Sequence, residues 1–295
     1  MADLALERRV APSSRWAAGL KRGGPRLWLG ATLVGILVLT ALLAPWIAPH
    51  DPIEQDLMSA QLPPAWINGG DPAYFLGTDS LGRCVLSRLI YSARTAVAVA
   101  LIAATLAAVI GIAFGLVAGS FGGWVDQLTS RLIDVWMAFP PVLLSIVLAA
   151  VIGAGLTSVI AAIVVVDWTR FARVVRAETM VQLQRDYAAA ARVIGLSRGG
   201  ILRLEILPNL VPLVVTLLAV EMGIAILVEV ILSFVGISVA GDTATWGGMI
   251  AEGRQIVYQA PWIMALPILC IISSVIGFNL LGDGLRLVLD PVQRR

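Results

Sequence analysis

Charged residues, cysteine and histidine are all scarce in this sequence. Only 14% of its 295 residues are charged and 59% are hydrophobic, with a mean hydropathy of +0.90. Two cysteines, Cys84 and Cys270, are too few for a disulfide framework, so we expect two free thiols. A single histidine, His50, excludes a histidine-based metal centre within the chain. The composition excludes a soluble domain and predicts an all-α polytopic membrane protein.

Motifs for catalysis and nucleotide binding are also absent. The chain has no H-E-x-x-H or G-x-S-x-G motif and no catalytic carboxylate pair at helical spacing, which disfavours an intramembrane enzyme. It has no G-x-x-x-x-G-K-[ST] phosphate loop for ATP. The net charge of +2 gives no reason to expect nucleic acid as a partner. We therefore expect a non-catalytic chain that binds no metal or cofactor itself.

Uncharged runs long enough to cross about 30 Å of hydrocarbon recur along the chain. Basic residues precede the first run and none follows Arg26 until Arg83, which predicts a cytoplasmic N terminus. The predicted spans cover 27–47, 95–119, a third that ends near 152, a fourth from 156, 210–235 and 262–281. The predicted organisation is a cytoplasmic basic tail (1–26), the first helix (27–47), an extracytoplasmic loop (48–94), a five-helix core (95–285) and a cytoplasmic tail (286–295).

Two of the spans contain residues that predict close packing or a break. Gly111, Gly115 and Gly119 repeat every four residues, a spacing that lets another helix approach closely. This face should therefore pack on protein. Pro140 and Pro141 should break the third span, and such a break is tolerated only inside protein or along a cavity.

Charged residues within the spans are the candidates for a pathway. Asp167 and Arg170 are three residues apart in the fourth span and are spaced to pair. Glu221 and Glu229 lie in the fifth span and must face protein or water. Either carboxylate could line a pathway or be a structural hydrogen-bond acceptor, and the second interpretation is favoured for Glu229.

A polar stretch, residues 186–209, interrupts the apolar sequence, and we call it the hook. Its first part, 186–194, is rich in alanine and predicts a short helix that ends at a left-handed Gly195. Ser197 can cap a second helical piece that runs toward Leu204, and Pro208 marks the start of a new element. Arginines outnumber acids here, which predicts a cytoplasmic position. An exposed helix-turn-helix is a docking device, and the alternative is a solvated connector.

The hook resembles the EAA loop of the permease subunits of ABC importers, through Ala190-Ala191, Gly195 and Ile206-Leu207-Pro208. Residues 76–94, LGTDSLGRCVLSRLIYSAR, resemble the LGTDxxGRDxxSRxxxGxR signature of the dipeptide, oligopeptide and nickel branch of that family. Three more segments are similar to that branch: GGWVD (122–126), GDTATWGGMIAEGR (241–254) and GDGLRLVLDP (282–291). Two departures are Ala189, where the family usually has Glu, and Cys84, where it usually has Asp.

The resemblance implies the type I ABC importer permease fold, with six transmembrane helices and a cytoplasmic coupling helix, in the bacterial inner membrane. It implies a pathway for dipeptides or oligopeptides, driven by ATP hydrolysis in partner subunits. The implied partners are a second, similar permease, two ATPase subunits that bind ATP and Mg, and an extracytoplasmic solute-binding protein. A nickel or metal-chelate importer shares these motifs. A proton-coupled secondary transporter is an alternative of another class, which would predict inverted repeats that the sequence does not show.

The resemblance and the charge pattern together give three sets of site residues. Coupling to the ATPase is expected from Tyr187, Ala190, Ala191, Arg192, Gly195, Leu196, Arg198 and Pro208. The translocation pathway is expected from Asp167, Arg170, Glu221 and Glu229. Docking of the solute-binding protein is expected from Asp79, Arg83, Trp246, Glu252 and Arg254. A simpler interpretation of Asp79 and Arg83 is a loop ion pair of small energetic value.

Overall fold

The computed structural model describes residues 23–238 and 243–289. Most of the predicted N-terminal tail, residues 1–22, lies outside the described residues, as do Arg294 and Arg295 of the C-terminal tail. In these two ranges the chain forms helices and connecting loops, with one isolated antiparallel bridge between Thr78 and Cys84. The helical content agrees with the predicted all-α class.

The first two long helices flank the loop that carries the LGTD segment. Helix α1 (Gly24–Ile47) has Pro25 in its first turn, where the missing N–H of proline costs the helix no hydrogen bond. Helix α2 (Val85–Phe121) has 37 residues, about 55 Å at 1.5 Å per residue. The prediction that this region stays a loop to residue 94 is wrong. The first turns of α2 are helical because their polar side chains are buried with partners, such as Arg88 on two carboxylates.

A sharp bend separates the next two helices. Helix α3 (Gly123–Met137) and helix α4 (Pro141–Ile152) meet at 86°, which confirms the predicted break at Pro140 and Pro141. Only Gly122 separates α2 from α3. Gly122 has φ +64° and Gly123 has φ +55°. Two successive glycines in this region reverse the chain without a longer loop.

Helix α5 (Leu156–Leu183) packs along α2 through the three spaced glycines. A Cβ atom added at Gly111 would lie 2.4 Å from the carbonyl oxygen of Trp168, and one at Gly119 would lie 2.8 Å from that of Arg176. Both distances are far shorter than a van der Waals contact, so only glycine fits. The prediction that this face packs on protein is confirmed.

The hook begins with two short helices. Helix α6 (Asp186–Val193) and helix α7 (Arg198–Ile201) are joined by a turn in which Gly195 has φ +86°. The Ser197 side chain accepts a hydrogen bond from the Gly200 N–H at 3.2 Å. The predicted terminator and cap are therefore both confirmed.

The second part of the hook does not end before Pro208, contrary to the prediction. A π-helical turn, Leu202–Ile206, connects α7 to the long helix α8 (Leu207–Phe234). The N–H of Leu207 donates to the carbonyl of Leu202, five residues earlier. Because Pro208 has no N–H to donate, widening the helix beside it preserves a continuous rod.

The described part of the connection between α8 and the last helix is partly helical. It contains helix α9 (Trp246–Gly253), which Thr245 caps by accepting from the Gly248 N–H at 3.1 Å, and a 3-10 turn, Arg254–Ile256. The last helix, α10 (Trp262–Leu289), has Pro267 within it and continues beyond residue 285, into the predicted C-terminal tail.

Four helices of the described residues are long and apolar enough to cross a membrane: α1, α2, the rod 198–234 and α10. The bent pair α3–α4 makes a fifth if it forms one span. Helix α5 is not among them, because Asp167, Arg170 and Arg173 interrupt its apolar run. Below, the end of the bundle at residues 184–197 is called the hook end, and the end at residues 48–84 is called the loop end.

Candidate functional site

The hook packs on the bundle through one small face and leaves the other face exposed. Ala188 and Ala191 are buried against Val175, Ile206 and other apolar side chains. The exposed face combines apolar and cationic groups. Val193 is 87% exposed and Ile194 is 75% exposed. The other exposed members of this face are Ala189, Ala190, Arg192, Gly195 and Arg198.

Hydrogen bonds tie the hook to the end of α5. The Arg192 Nη2 donates to the carbonyl of Leu183 at 2.9 Å, and the Tyr187 hydroxyl donates to Gln182 Oε1 at 2.6 Å. Burial raises the pKa of Tyr187, so this hydroxyl remains a donor. The hook and the adjoining helix end therefore form one unit that can move together.

The predicted coupling residues divide between the two faces. Tyr187 and Leu196 are half-buried and Ala191 is buried, so these three hold the hook in place. Ala190, Arg192, Gly195, Arg198 and Pro208 are exposed. Sequence reasoning missed Val193 and Ile194. Ile194 follows Ala191 by three residues and would extend the buried stripe, but α6 ends at Val193 and the turn directs it outward.

Three of the four predicted pathway residues meet near the midpoints of α5 and α8. The Arg170 Nε lies 3.7 Å from Asp167 Oδ1, which confirms the predicted pairing, and Arg170 Nη1 lies 3.6 Å from Glu221 Oε2. Asp167 and Glu221 are almost fully buried, whereas the Arg170 side chain is 32% exposed. One guanidinium thus faces two carboxyl groups within the helix bundle.

Glu229 is not part of this cluster. It lies two turns further along α8, about 12 Å along the helix axis. Its Oε1 accepts from the hydroxyl of Ser233 at 2.5 Å and from that of Ser238 at 3.4 Å. Glu229 is therefore a structural acceptor whose hydrogen-bond donors are present, which is the interpretation favoured from the sequence.

A second charged cluster lies at the loop end. Asp79 Oδ2 accepts hydrogen bonds from Arg83 Nε at 2.7 Å and from Arg88. Glu252 accepts from the same two arginines, from Arg83 Nη2 at 2.8 Å and from Arg88 Nη2 at 3.1 Å. Asp79 Oδ1 accepts from the Leu81 and Arg83 N–H groups at 2.9 Å and 3.0 Å. Asp79 is 1% exposed. The interpretation as a weak loop ion pair is therefore wrong, because the pair is buried and belongs to a network of four charges.

The remaining predicted docking residues surround this network. Trp246 is buried, and its indole N–H donates to the carbonyl of Leu89 at 3.2 Å. Arg254 is exposed and lies over the Phe234 ring, 5.3 Å from its centroid. Sequence reasoning missed Arg88, although it is the second arginine of the segment 76–94. Its helical position, nine residues after Asp79, gave no local signal for the contact.

Neither charged cluster contains the group of metal-ligating side chains that a metal centre needs. Within 23–238 and 243–289, no three His, Cys, Asp or Glu side chains converge to hold a metal ion. Cys84 is buried, Cys270 is half-buried, and each is a free thiol.

Comparison with known proteins identifies two family matches and several relatives. The family described as the binding-protein-dependent transport system inner membrane component matches residues 111–295, and the N-terminal TM domain of oligopeptide transport permease C matches residues 25–64. The chain is 43% identical over 269 residues to the dipeptide transport system permease protein DppC of Haemophilus influenzae, with 89% of each chain covered. It is 38% identical to the di/tripeptide transport system permease protein DppC of Pseudomonas aeruginosa, over 89% of this chain and 86% of the relative. It is also 38% identical to the glutathione transport system permease protein GsiD of Shigella dysenteriae, over 88% of this chain and 84% of the relative.

Proposed function

The chain belongs to the family of inner membrane components of binding-protein-dependent transport systems, and from that premise we propose that it forms part of the pathway of a peptide importer. The observation that carries the proposal is the 43% identity to a dipeptide permease over 89% of both chains. The relatives compared above are named for dipeptides, di/tripeptides and glutathione, which favours peptides over nickel.

ATP is used outside this chain in the proposed complex. Two ATPase subunits bind ATP and Mg, since this chain has no phosphate loop. A second, similar permease completes the pathway, and an extracytoplasmic solute-binding protein delivers the peptide. The chain itself has a pathway role and no catalytic residue.

The proposed topology has six spans, with both termini in the cytoplasm. It adds α5 to the four helices and the bent pair, because the charges of α5 have partners: Asp167 pairs with Arg170 within the helix, Arg170 also faces Glu221 of α8, and Arg173 faces Asp134 of α3. The tight packing of α5 on the α2 glycines supports the same assignment. The hook end is then cytoplasmic, and the domain boundaries are those predicted from the sequence, with the extracytoplasmic loop shortened to 48–84.

The hook is the proposed coupling element. Val193, Ile194, Arg192 and Arg198 form its contact surface for an ATPase subunit, while Tyr187, Ala191 and Leu196 transmit the movement to α5. When the ATPase subunits close on nucleotide, the hook moves with them. Helices α5 and α8 then tilt, and the pathway opens at the loop end. Hydrolysis reverses the tilt.

The opposite end receives the solute-binding protein. Asp79, Arg83 and Trp246 are buried, so their proposed part is to fix the outer surface, while Glu252 and Arg254 reach solvent and supply the contacts. In the middle of the bundle, the half-buried Arg170 lies in front of the buried Asp167 and Glu221, and this cluster is the proposed border of the pathway.

Reconstitution in proteoliposomes tests this function. The chain, its companion permease, both ATPases and the solute-binding protein should together import a labelled dipeptide only with ATP and binding protein present. A chain with residues 186–197 deleted should lose ATPase binding and uptake together. Uptake that follows an imposed proton gradient without ATP would instead support the secondary transporter.

A further inference from the structure

Two carboxyl groups and one guanidinium lie together at mid-depth in the helix bundle. Asp167 is 2% exposed and Glu221 is 1% exposed. Arg170 is the cation between them, at 3.7 Å from Asp167 Oδ1 and 3.6 Å from Glu221 Oε2. If both acids were ionised, the cluster would hold one uncompensated negative charge. Burial of such a charge away from water is strongly unfavourable.

The Glu221 carboxyl lacks hydrogen-bond donors. Neither Oε1 nor Oε2 of Glu221 accepts a hydrogen bond from any described residue, and both atoms are buried. The contact with Arg170 is too long to replace one, since charge-assisted N–H···O bonds measure about 2.7–2.9 Å. Glu229, which is equally buried, accepts from the Ser233 and Ser238 hydroxyls. Between the two buried acids of α8, the missing donor is therefore particular to Glu221.

The helices packed around the cluster supply no further charge. Residues 95–121 of α2 and all of α4 contain no charged side chain, and the charged residues of α10, Asp283 and Arg286, lie at its hook end. Glu252 of α9 belongs to the network at the loop end. Arg173, the next arginine on α5, pairs with Asp134 of α3 at 3.6 Å. Among the described residues, Asp167, Arg170 and Glu221 must therefore balance their charges among themselves.

We propose that Asp167 and Glu221 form a proton-binding site, in which one proton is held between the two carboxyl groups. The protonated carboxyl donates an O–H···O bond to the ionised one, which gives Glu221 its missing partner. The two carboxyls then carry one negative charge, and Arg170 balances it. A metal cation fits less well, because calcium takes about six to eight oxygen ligands and this site offers four carboxyl oxygens, some of which face Arg170.

Infrared spectroscopy of the purified transporter complex tests the site without transport. The wild-type complex should show a protonated-carboxyl C=O band that disappears as the pH is raised. The isosteric changes Asp167→Asn and Glu221→Gln should each remove that component, and Asp134→Asn, which alters an exposed carboxyl, should retain it. A band and a titration that stay the same in both Asp167→Asn and Glu221→Gln would overturn the proposal. The two variants are independent, so one suffices if the other fails to assemble.

Transport measurements test what the proton does, and this part rests on the proposed function. ATP-driven uptake by the wild type should fall at alkaline pH, since loss of the proton leaves an unbalanced buried charge, and Glu221→Gln should abolish that fall. Arg170→Gln removes the cation that favours the ionised form of the carboxyl pair. The fall in uptake should therefore move to higher pH by about one unit, which is a tenfold gain in proton affinity.

A fall in uptake that sodium ions reverse at fixed pH would overturn the proposal in favour of a metal cation. Absence of ATP-driven uptake in the wild type at every pH would count against the proposed function, while the infrared result would still decide the proton site.

Discussion

The carboxylate of Glu252 accepts hydrogen bonds from both Arg83 and Arg88, although 164 residues separate it from Arg88. Asp79 binds the same two arginines from the other side. This arrangement joins the loop before α2, the first turn of α2 and helix α9 in one unit. Two acids and two arginines balance in charge, so the network is stable only while all four members are present.

Removal of Arg88 should therefore destabilise the loop end. Arg88→Gln leaves Asp79 and Glu252 with Arg83 alone, and the expected loss is about 3 kcal/mol, the lower end for a broken buried pair. Thermal unfolding of the purified complex measures it. Arg94→Gln is the matched control, since Arg94 is exposed and lies over the Tyr91 ring. Equal unfolding temperatures for the two variants would contradict a stabilising role for the network.

The contact between α2 and α5 predicts a strong effect of side-chain size at Gly111. Gly111→Leu places atoms where the Trp168 carbonyl and Phe171 lie, 2.4 Å from the position of an added Cβ. Such overpacking should cost about 1–3 kcal/mol or more, because helix backbones must separate. Gly35→Ala in α1 is the control, since no atom lies within 4 Å of its added Cβ. The amount of folded complex after detergent extraction should fall for Gly111→Leu and stay level for Gly35→Ala.

Local features of the sequence predicted much of this architecture. The glycine spacing at 111, 115 and 119 identified the face that packs on α5, and Pro140 and Pro141 identified the bend, because both effects depend on backbone geometry within a few residues. The left-handed Gly195 and the Ser197 cap were predictable for the same reason. Each of these features depends only on the type of residue at its position and on the residues next to it.

Contacts between distant segments were not predictable in this way. Residues 85–94 are polar enough to suggest a loop, and they are helical because Arg88 reaches Asp79 and Glu252. The hook continues into α8 because the π-helical turn beside Pro208 avoids the expected break. The meeting of Glu221 with Asp167 and Arg170 likewise depends on how α5 and α8 pack, which no spacing within either helix determines.

The turn at Gly195 should be sensitive to substitution at that residue alone. Gly195 has φ +86° and open space around its added Cβ, so Gly195→Val should act through backbone strain of about 1–3 kcal/mol rather than through a clash. We expect a misshapen hook, with ATPase activity no longer stimulated by peptide-loaded binding protein. Gly199→Ala is the matched control, because Gly199 also has open space but no positive φ. Intact coupling in Gly195→Val would show that the shape of the turn is not required.

The exposed apolar tip of the hook should provide most of its binding energy for the ATPase. Val193 and Ile194 extend from a short helix whose opposite face is already buried, so their side chains are free for a partner. Ile194→Asp should weaken binding about thirtyfold, as for a residue contributing about 2 kcal/mol at an interface. The measurement is the fraction of ATPase subunits that co-purify with the chain in a salt series, with Met58→Asp as control, since Met58 is 93% exposed at the loop end.

Because the Ile194 contact is apolar, the loss of binding in Ile194→Asp should persist at high salt. The contribution of Arg192 and Arg198 should instead decline as salt screens their charges. An Ile194→Asp complex that keeps its ATPase subunits at every salt concentration would place the main contact elsewhere on the hook end.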